Sequence, residues 1–267
     1  MNIISPTFTY PDSPYLLPHW QHSDLWCGPD TEELYKANCQ SRPKDWIWEN
    51  KPVRYTWNEH GYRAPMWGKI DWPNTHAIMG CSHVLGVGID DSETMSAQLS
   101  LQLSEPTVNL GFCGGSAMTV QYNTLRMVEL GWHPKTVTIV IPELTRLAYF
   151  DYNHVTNLVP HLIMENSRNN TGILGMYQHW LTPPRHAELY GRMAILGAEA
   201  MWNSARVPVI LRQASITDLP MAPYLKSRVD TARDLQADSG WAHAGPATNA
   251  LWAREIADTI RTLPPLL

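Results

Sequence analysis

Thr136–Ile141, TVTIVI, constrains the fold more than any other stretch of this chain. The run is β-branched and uncharged, and Pro142 stops it. Such a continuous strand suits a sheet covered on both faces, which in practice means parallel strands between two helix layers. The flanking sequence repeats the pattern. Thr75–Cys81 and Thr107–Leu110 read as strands before it, and Val207–Arg212 as a fourth strand after it.

Amphipathic helices fall between these strands. One carries Met95, Leu99 and Leu103 at i, i+4 and i+8, with Asp90 or Asp91 as its cap. A second puts Met118, Tyr122 and Leu125 on one face and ends near Gly131. Residues 143–206 read as helix or loop, the strong helix being TPPRHAELYGRMAILGAEAMWNSA, opened by Pro183-Pro184. The last helix begins at Pro246 and lines up Trp252, Ile256 and Ile260. This alternation predicts an α/β fold with a mostly parallel central sheet and helices on both faces. Ligands in such folds bind at the carboxyl ends of the strands.

Residues 1–70 have another texture, rich in Pro, Trp, Tyr and His and without a long period. Seven of the twelve tryptophans lie before residue 73, so this segment needs its own account. A short helix is expected at Thr31–Asn38, with Asp30 as cap and Glu32 and Glu33 in its first turn. The expected organisation is an irregular aromatic wrap over 1–70 and an α/β domain over 71–267. Packing is the preferred role for the aromatics. The alternative is that some of them, with Arg63, form a wall of a substrate cleft.

A net charge of −5 and an isoelectric point near 6.1 give no global field for nucleic acid or an anionic membrane. No apolar run approaches the length of a bilayer span. MNIISPTFTYPDSP lacks the charged head and apolar core of a signal peptide, so a cytoplasmic location is expected, with virion association as the alternative. Cys27, Cys39, Cys81 and Cys113 follow no metal-ligand spacing, so reduced thiols, no metal and no cofactor are expected. Oligomeric state is not legible.

The chemistry concentrates in His76–Gly88, HAIMGCSHVLGVG, a strand that turns through Gly80-Cys81-Ser82-His83 into a helix start. A serine there sits at the carboxyl edge of the sheet, where backbone N–H groups can face a developing negative charge. A tight turn using Gly and Ser for chain reversal has the same pattern. Two other stretches reach the same edge. Gly111 opens a glycine-rich loop after the second strand, where its N–H is available to an oxyanion. His243 lies just before the last helix, with Asp234 and Asp238 upstream. Serine, base and oxyanion donors are the parts acyl transfer needs. His83, adjacent to Ser82, is expected to point away as a supporting residue rather than a base. A metal cluster of Cys81, His83 and Cys113 has no spacing signature behind it.

GCSHVLGVGIDDSETMSAQL, then VNLGFCGGSAM, then an ARD…HAGP…A segment together resemble the SGNH/GDSL hydrolase superfamily, most closely its G-C-S-H variants met in phage and marine microbial sequences. The resemblance covers about Tyr55–Ile260, including the lead-in YTWNEHGYR. It implies a three-layer α/β/α, flavodoxin-like domain and hydrolysis of carboxylic esters, such as an O-acetyl group on a carbohydrate. It also implies that Ser82 is the nucleophile, His243 the base and Gly111 an oxyanion donor, with Asn109 positioning its loop.

Two elements depart from the family pattern. Pro142-Glu143-Leu144-Thr145-Arg146 stands where the family has G-x-N-D. Thr145 or Arg146 could donate there instead, or Arg146 could bind a substrate anion or pair with Glu143. The family's Asp three residues before His is Gly240 here. Asp238 needs the smaller expansion and is preferred over Asp234 as the acid. The rival readings are a binding module on this scaffold, such as a virion-associated carbohydrate-recognition protein whose triad has decayed, and an acyltransferase.

Overall fold

The computed structural model describes residues 16, 23–44, 46–150, 155–158, 184–214, 221–236 and 239–264. Its centre is a four-stranded parallel sheet of β1 (His76–Gly80), β2 (Thr107–Gly111), β3 (Thr136–Ile141) and β6 (Val209–Gln213), in the order β2-β1-β3-β6. All three pairings are parallel, with Ala77 opposite Val108 and Val137, and Ile139 opposite Leu211. A two-stranded antiparallel ribbon, β4 (Leu147–Phe150) and β5 (Val155–Leu158), stands apart from it in a stretch read from sequence as helix or loop.

The helices are α1 (Glu32–Ser41), α2 (Ser82–Leu85), α3 (Met95–Leu103), α4 (Ala117–Glu129), α5 (Pro184–Ser204) and α6 (Pro246–Arg261). Period-2 alternation along the strands sorts them into two layers. Ala77, Met79, Val137, Ile139 and Ile141 face a core with Val120 and Met127 of α4 and Ile195, Ala198 and Trp202 of α5. Ile78 and Val140 face the other way, onto Met95 and Leu99 of α3 and Trp252, Ile256 and Ala257 of α6. Both faces of β3 are therefore covered, and all six of its residues are buried. The architecture is three-layer α/β/α, as the uncharged TVTIVI run requires.

Strand order also fixes where a ligand can bind. The chain leaves β1 through α3 to β2 on one side, then crosses through α4 to β3 on the other. The reversal falls between β1 and β3, and ligands of such sheets bind outside the carboxyl ends of the strands at this topological switch point. Ser82 stands at that end of β1.

Local chemistry accounts for the shifts from expectation. Asp90 caps a short 3₁₀ turn over Asp91–Glu93 with a reciprocal capping box, and Thr94 caps α3 itself. Thr31 caps α1, because Asp30 is taken up by a buried ion pair. On α4 the buried stripe runs through Ala117, Val120, Thr124 and Met127, and Met118 and Tyr122 only flank it. Small and β-branched residues let this helix lie close to the sheet, leaving its bulkier side chains at the border of the layer.

Residues before 73 contribute to the same cores. Leu16, Tyr62, Trp67 and Trp72 join the α4/α5 layer, where Trp72 stacks on Trp132 with ring centroids 5.1 Å apart. Trp48, Val53 and Tyr55 pack with Leu85, Val87 and Ile89, the segment just beyond Ser82. Among the described residues no helix is long and apolar enough to cross a membrane.

Candidate active site

β1 runs into α2 with only Cys81 between them, and Ser82 is the first residue of that helix. Gly80 is required: a Cβ there would lie 2.7 Å from both the Val140 carbonyl oxygen and Val84 Cγ2. The helix ends after one turn at Gly86, which takes a left-handed conformation (φ 80°). The hydroxyl is thus carried on a short, sharply bounded turn.

That turn is clamped from its C-terminal end. Asn109 Nδ2 donates to the Val84 carbonyl at 2.9 Å. Arg63 Nη1 donates to the Leu85 and Gly86 carbonyls at 3.1 and 2.6 Å, and its Nη2 to the Ile89 carbonyl at 3.1 Å. A guanidinium at a helix C-terminus meets carbonyls that have no intrahelical partner. Asp91 balances the charge, accepting from Arg63 Nε at 2.6 Å. Arg63 is therefore buried structural support for α2 and not part of a cleft wall.

His243 Nε2 lies 2.7 Å from Ser82 Oγ, and His243 Nδ1 lies 2.5 Å from Asp234 Oδ2. Asp234 Oδ1 also accepts the His243 backbone N–H at 3.1 Å. An ionised carboxylate only accepts, so Nδ1 carries the proton and the bare Nε2 lone pair faces the serine hydroxyl. His243 and Asp234 are sealed from solvent, while Ser82 keeps 7 % of its surface exposed. A nucleophile must be reachable while its base and acid stay dry.

The acid within reach of the imidazole is Asp234. Asp238, preferred on spacing, lies outside the described residues. Backbone pairing explains how a residue nine positions upstream gets there. Thr231 and Ala244 form an antiparallel bridge, with the Ala232 N–H donating to the His243 carbonyl at 3.0 Å. The Arg233 N–H donates to the Gly88 carbonyl at 3.1 Å, tying the acid's segment to the end of the serine turn. At Gly88 (φ 76°) a Cβ would meet Ala232 Cβ at 2.9 Å and Asp234 Oδ1 at 3.2 Å.

A second buried group lies directly behind Asp234. Arg233 donates from Nε and Nη2 to the two oxygens of Asp30, at 2.8 and 2.9 Å. Tyr55 Oη donates to Asp30 Oδ2 at 2.5 Å and accepts the Gly88 N–H at 2.7 Å. The guanidinium is also stacked 4.3 Å from the Trp26 ring. Burial raises the Asp30 carboxyl from its ordinary value, with Arg233 and Tyr55 pulling against it.

Gly111 requires a correction. Its N–H donates to Asn109 Oδ1 at 2.9 Å and so is not offered to an oxyanion. The need for glycine is steric, because a Cβ there would sit 2.2 Å from the Leu85 nitrogen, where α2 crosses β2. Asn109 accepts from the Gly111 N–H of its own loop and donates to the Val84 carbonyl of the nucleophile's helix. Further along, the Gly115 N–H donates to the Phe112 carbonyl at 2.8 Å. Gly114 (φ 67°) has no hydrogen bond on its N–H among the described residues, and the Ser82 N–H at the head of α2 has none either.

On the other side, Thr145 Oγ1 donates to Glu143 Oε1 at 2.9 Å, and Arg146 Nε to Glu143 Oε2 at 3.3 Å. Of the readings open for Arg146, the pair with Glu143 is formed, through one nitrogen of the guanidinium. The Thr145 hydroxyl proton is directed to Glu143.

His83 faces inward. Its ring meets the His243 ring edge-on at 5.0 Å, and its Nδ1 is buried without a partner. Burial holds its pKa well below the ordinary histidine value, and the neighbouring His243, Arg228 and Arg146 push it the same way. It is a neutral ring packed against the base. Trp241, partly exposed, also meets the His243 ring edge-on, at 4.7 Å. Trp241 was not singled out in sequence, although it lies two residues before His243. The four cysteines are free, and the thiol of Cys113 hydrogen-bonds Cys27 and raises its pKa. Among the described residues no group of three or more His, Cys, Asp or Glu is placed to hold a metal ion.

The solved structures similar to the chain include the following two. One is a carbohydrate esterase family 2 enzyme with a carbohydrate-binding domain from Corynascus thermopiles (Myceliophthora fergusii), 13 % identical with a TM-score of 0.34, covering 70 % of this chain and 65 % of that one. The other is described as a GDSL-like lipase from Bacteroides ovatus, 10 % identical with a TM-score of 0.35, covering 73 % of this chain and 55 % of that one. The chain thus spans less than two thirds of the length of either. No family model matches it, and no curated protein matches it. What the chain itself presents, at the switch point of a parallel sheet, is a serine, a histidine and a carboxylate in one hydrogen-bonded series.

Proposed function

We propose that this chain is a serine ester hydrolase of the SGNH/GDSL kind, working through an acyl-enzyme on Ser82. The observation that carries the reading is the series Ser82 Oγ–His243 Nε2–His243 Nδ1–Asp234 Oδ2, with separations of 2.7 and 2.5 Å. Both lie within hydrogen-bond reach, as a base and its orienting acid must.

In the first half-reaction the Ser82 oxygen attacks the ester carbonyl carbon while His243 Nε2 takes the hydroxyl proton. The carbonyl oxygen becomes an oxyanion, for which the Ser82 and Gly114 N–H groups are the donors we assign. Collapse of the tetrahedral intermediate breaks the bond to the alcohol, whose oxygen takes the proton from Nε2. In the second half-reaction water attacks the acyl-serine, its proton goes to Nε2 and returns to Ser82, and the acid departs. Asp234 keeps the imidazole in the required tautomer and stabilises its charged form.

The test is labelling with a neutral alkyl fluorophosphonate, followed by peptide mapping and turnover of short-chain acetyl esters. Labelling confined to Ser82, lost in Ser82→Ala together with turnover, is the expected result. Full labelling of Ser82→Ala, or ester turnover independent of Ser82, would refute the assignment. An unlabelled, inactive wild type that binds carbohydrate unaffected by Ser82→Ala would favour the decayed binding module.

A further inference from the structure

The groups beside His243 carry information about the substrate, and the following rests on the ester-hydrolase reading. In the mechanism above, His243 gives its proton to the departing alcohol. Side chains that pack beside that imidazole and themselves reach solvent therefore border the alcohol portion of the ester rather than its acyl portion. Two stand out there. Trp241 is 37 % exposed and meets the His243 ring at 4.7 Å, so part of its indole faces outward beside the base. Arg228, which is exposed, anchors Nη1 on the carbonyl of Ala242 at 2.5 Å, one residue from His243.

Arg228 has no carboxylate partner among the described residues. Nearby Asp230 is occupied in capping α6, accepting the Ala247 and Thr248 N–H groups at 2.9 and 2.8 Å. Asp234 is occupied by His243. The remaining nitrogens of Arg228 thus present an uncompensated positive charge in a chain whose net charge is −5. Arg146, on the loop after β3, the neighbour of β1, is balanced by its pair with Glu143, so Arg228 is the cation of the two without a carboxylate partner among the described residues.

We infer that the site selects esters whose alcohol portion is anionic and presents a flat face, the anion binding Arg228 and the face resting on Trp241. O-acylated acidic sugars belong to this class: a ring face suits an indole, and a carboxylate or sulfate suits the planar fork of arginine.

The experiment holds the acyl group constant and changes only the alcohol. Acetyl esters of 4-hydroxybenzoate and 4-hydroxybenzenesulfonate are compared with the acetyl ester of methyl 4-hydroxybenzoate, which is neutral. Every rate is corrected for spontaneous hydrolysis. A charge-assisted hydrogen bond contributes about 1.5–3 kcal/mol, which converts to a preference in kcat/KM of about 10- to 150-fold for the anionic esters. That ratio should fall towards one in Arg228→Gln and should shrink as ionic strength rises. A wild-type ratio of one or less, or a ratio unchanged in Arg228→Gln, would overturn the inference. Fluorophosphonate labelling of Ser82 is run alongside. Labelling with no anionic preference refutes the substrate class alone, whereas no labelling and no turnover of any of the three esters refutes the hydrolase reading as well.

Discussion

Asp30→Ala tests how far the N-terminal segment holds the candidate site together. Asp30 and Arg233 are 1 % and 5 % exposed, and their pair is bidentate. Removing the carboxylate leaves a buried guanidinium with the Leu25 carbonyl and two aromatic faces but no counter-charge. Breaking a buried pair by deleting one partner costs about 3–5 kcal/mol. The Tyr55 hydroxyl loses its acceptor too, a penalty of about 1–3 kcal/mol if it stays dry. The two losses share one cavity, which water can enter, so they do not add in full. We expect a net destabilisation of about 4 kcal/mol, a fall in Tm of about 10 °C. The assay is urea and thermal unfolding followed by tryptophan fluorescence, with Arg233→Met and the double variant completing a cycle. Arg233→Met in the Asp30→Ala background should recover part of the loss, because it removes the orphaned charge. A loss under about 1 kcal/mol, or a double variant as unstable as the two single losses summed, would refute the reasoning.

Asp234→Asn should lower kcat by about three to four orders of magnitude with little change in KM, because the amide favours the wrong imidazole tautomer. Asp238→Asn should leave kcat within about threefold, and steady-state kinetics on an acetyl ester separates the two. Gly111→Ala forces a methyl group to within 2.2 Å of the Leu85 nitrogen, so α2 must move or the strand must. Overpacking of this kind costs at least about 1–3 kcal/mol, and we expect a lower unfolding midpoint together with slower labelling of Ser82. Acid lability supplies a further check. Burial lowers the pKa of His60, His76 and His83, so between their folded and unfolded values the unfolded chain binds more protons. Stability should therefore fall as pH drops below about 6.5, each histidine contributing at most about 1.4 kcal/mol per pH unit. Urea midpoints measured from pH 7.5 to 5 should show the decline, and His83→Gln should flatten it.

The fold was legible because its evidence is local. TVTIVI appears as β3 over the predicted Thr136–Ile141, and α6 buries the predicted Trp252 and Ile256. The β4–β5 ribbon was not legible, since short antiparallel strands are set by their pairing and not by a long apolar period. At the site, Ser82 and His243 could be read from their positions before and after helices, and the structure brings them together across 161 residues. The acid could not be chosen, because sequence spacing is a poor proxy for distance when the intervening loop is closed by pairing. The Thr231–Ala244 bridge fixes both ends, so Asp234 meets His243 whatever the length of the excursion between them. Gly111 shows the opposite limit. A glycine beside an active serine reads equally well as a donor to substrate or as space for a crossing backbone, and only the contact with Leu85 decides.

The aromatic N-terminal segment has a physical role near the site. The serine turn is a single helical turn, and four residues cannot hold a hydroxyl in place through intrahelical bonds alone. Its carbonyls are instead bound from outside by Arg63 and Asn109. The acid's segment has the same difficulty, being irregular backbone, and is fixed through Arg233 to Asp30 and through Gly88 to Tyr55. Three of the four anchors, Asp30, Tyr55 and Arg63, precede residue 70, and Asn109 is the fourth. Each anchoring arginine is buried, paired with a carboxylate and laid over an aromatic ring, Arg63 on Tyr55 at 4.5 Å and Arg233 on Trp26 at 4.3 Å. Aromatic rings seal such pairs from water while still attracting the cation, and a Trp- and Tyr-rich, Phe-poor sequence supplies hydroxyl and indole donors as well. Among the described residues before 70, Trp26, Asp30, Tyr55 and Arg63 thus build two buried arginine clamps on a one-turn helix and an irregular loop. Truncating the chain before residue 70 should remove labelling at Ser82 even though Ser82, His243 and Asp234 all remain, and retention of labelling at the full-length rate would show that the clamps are dispensable.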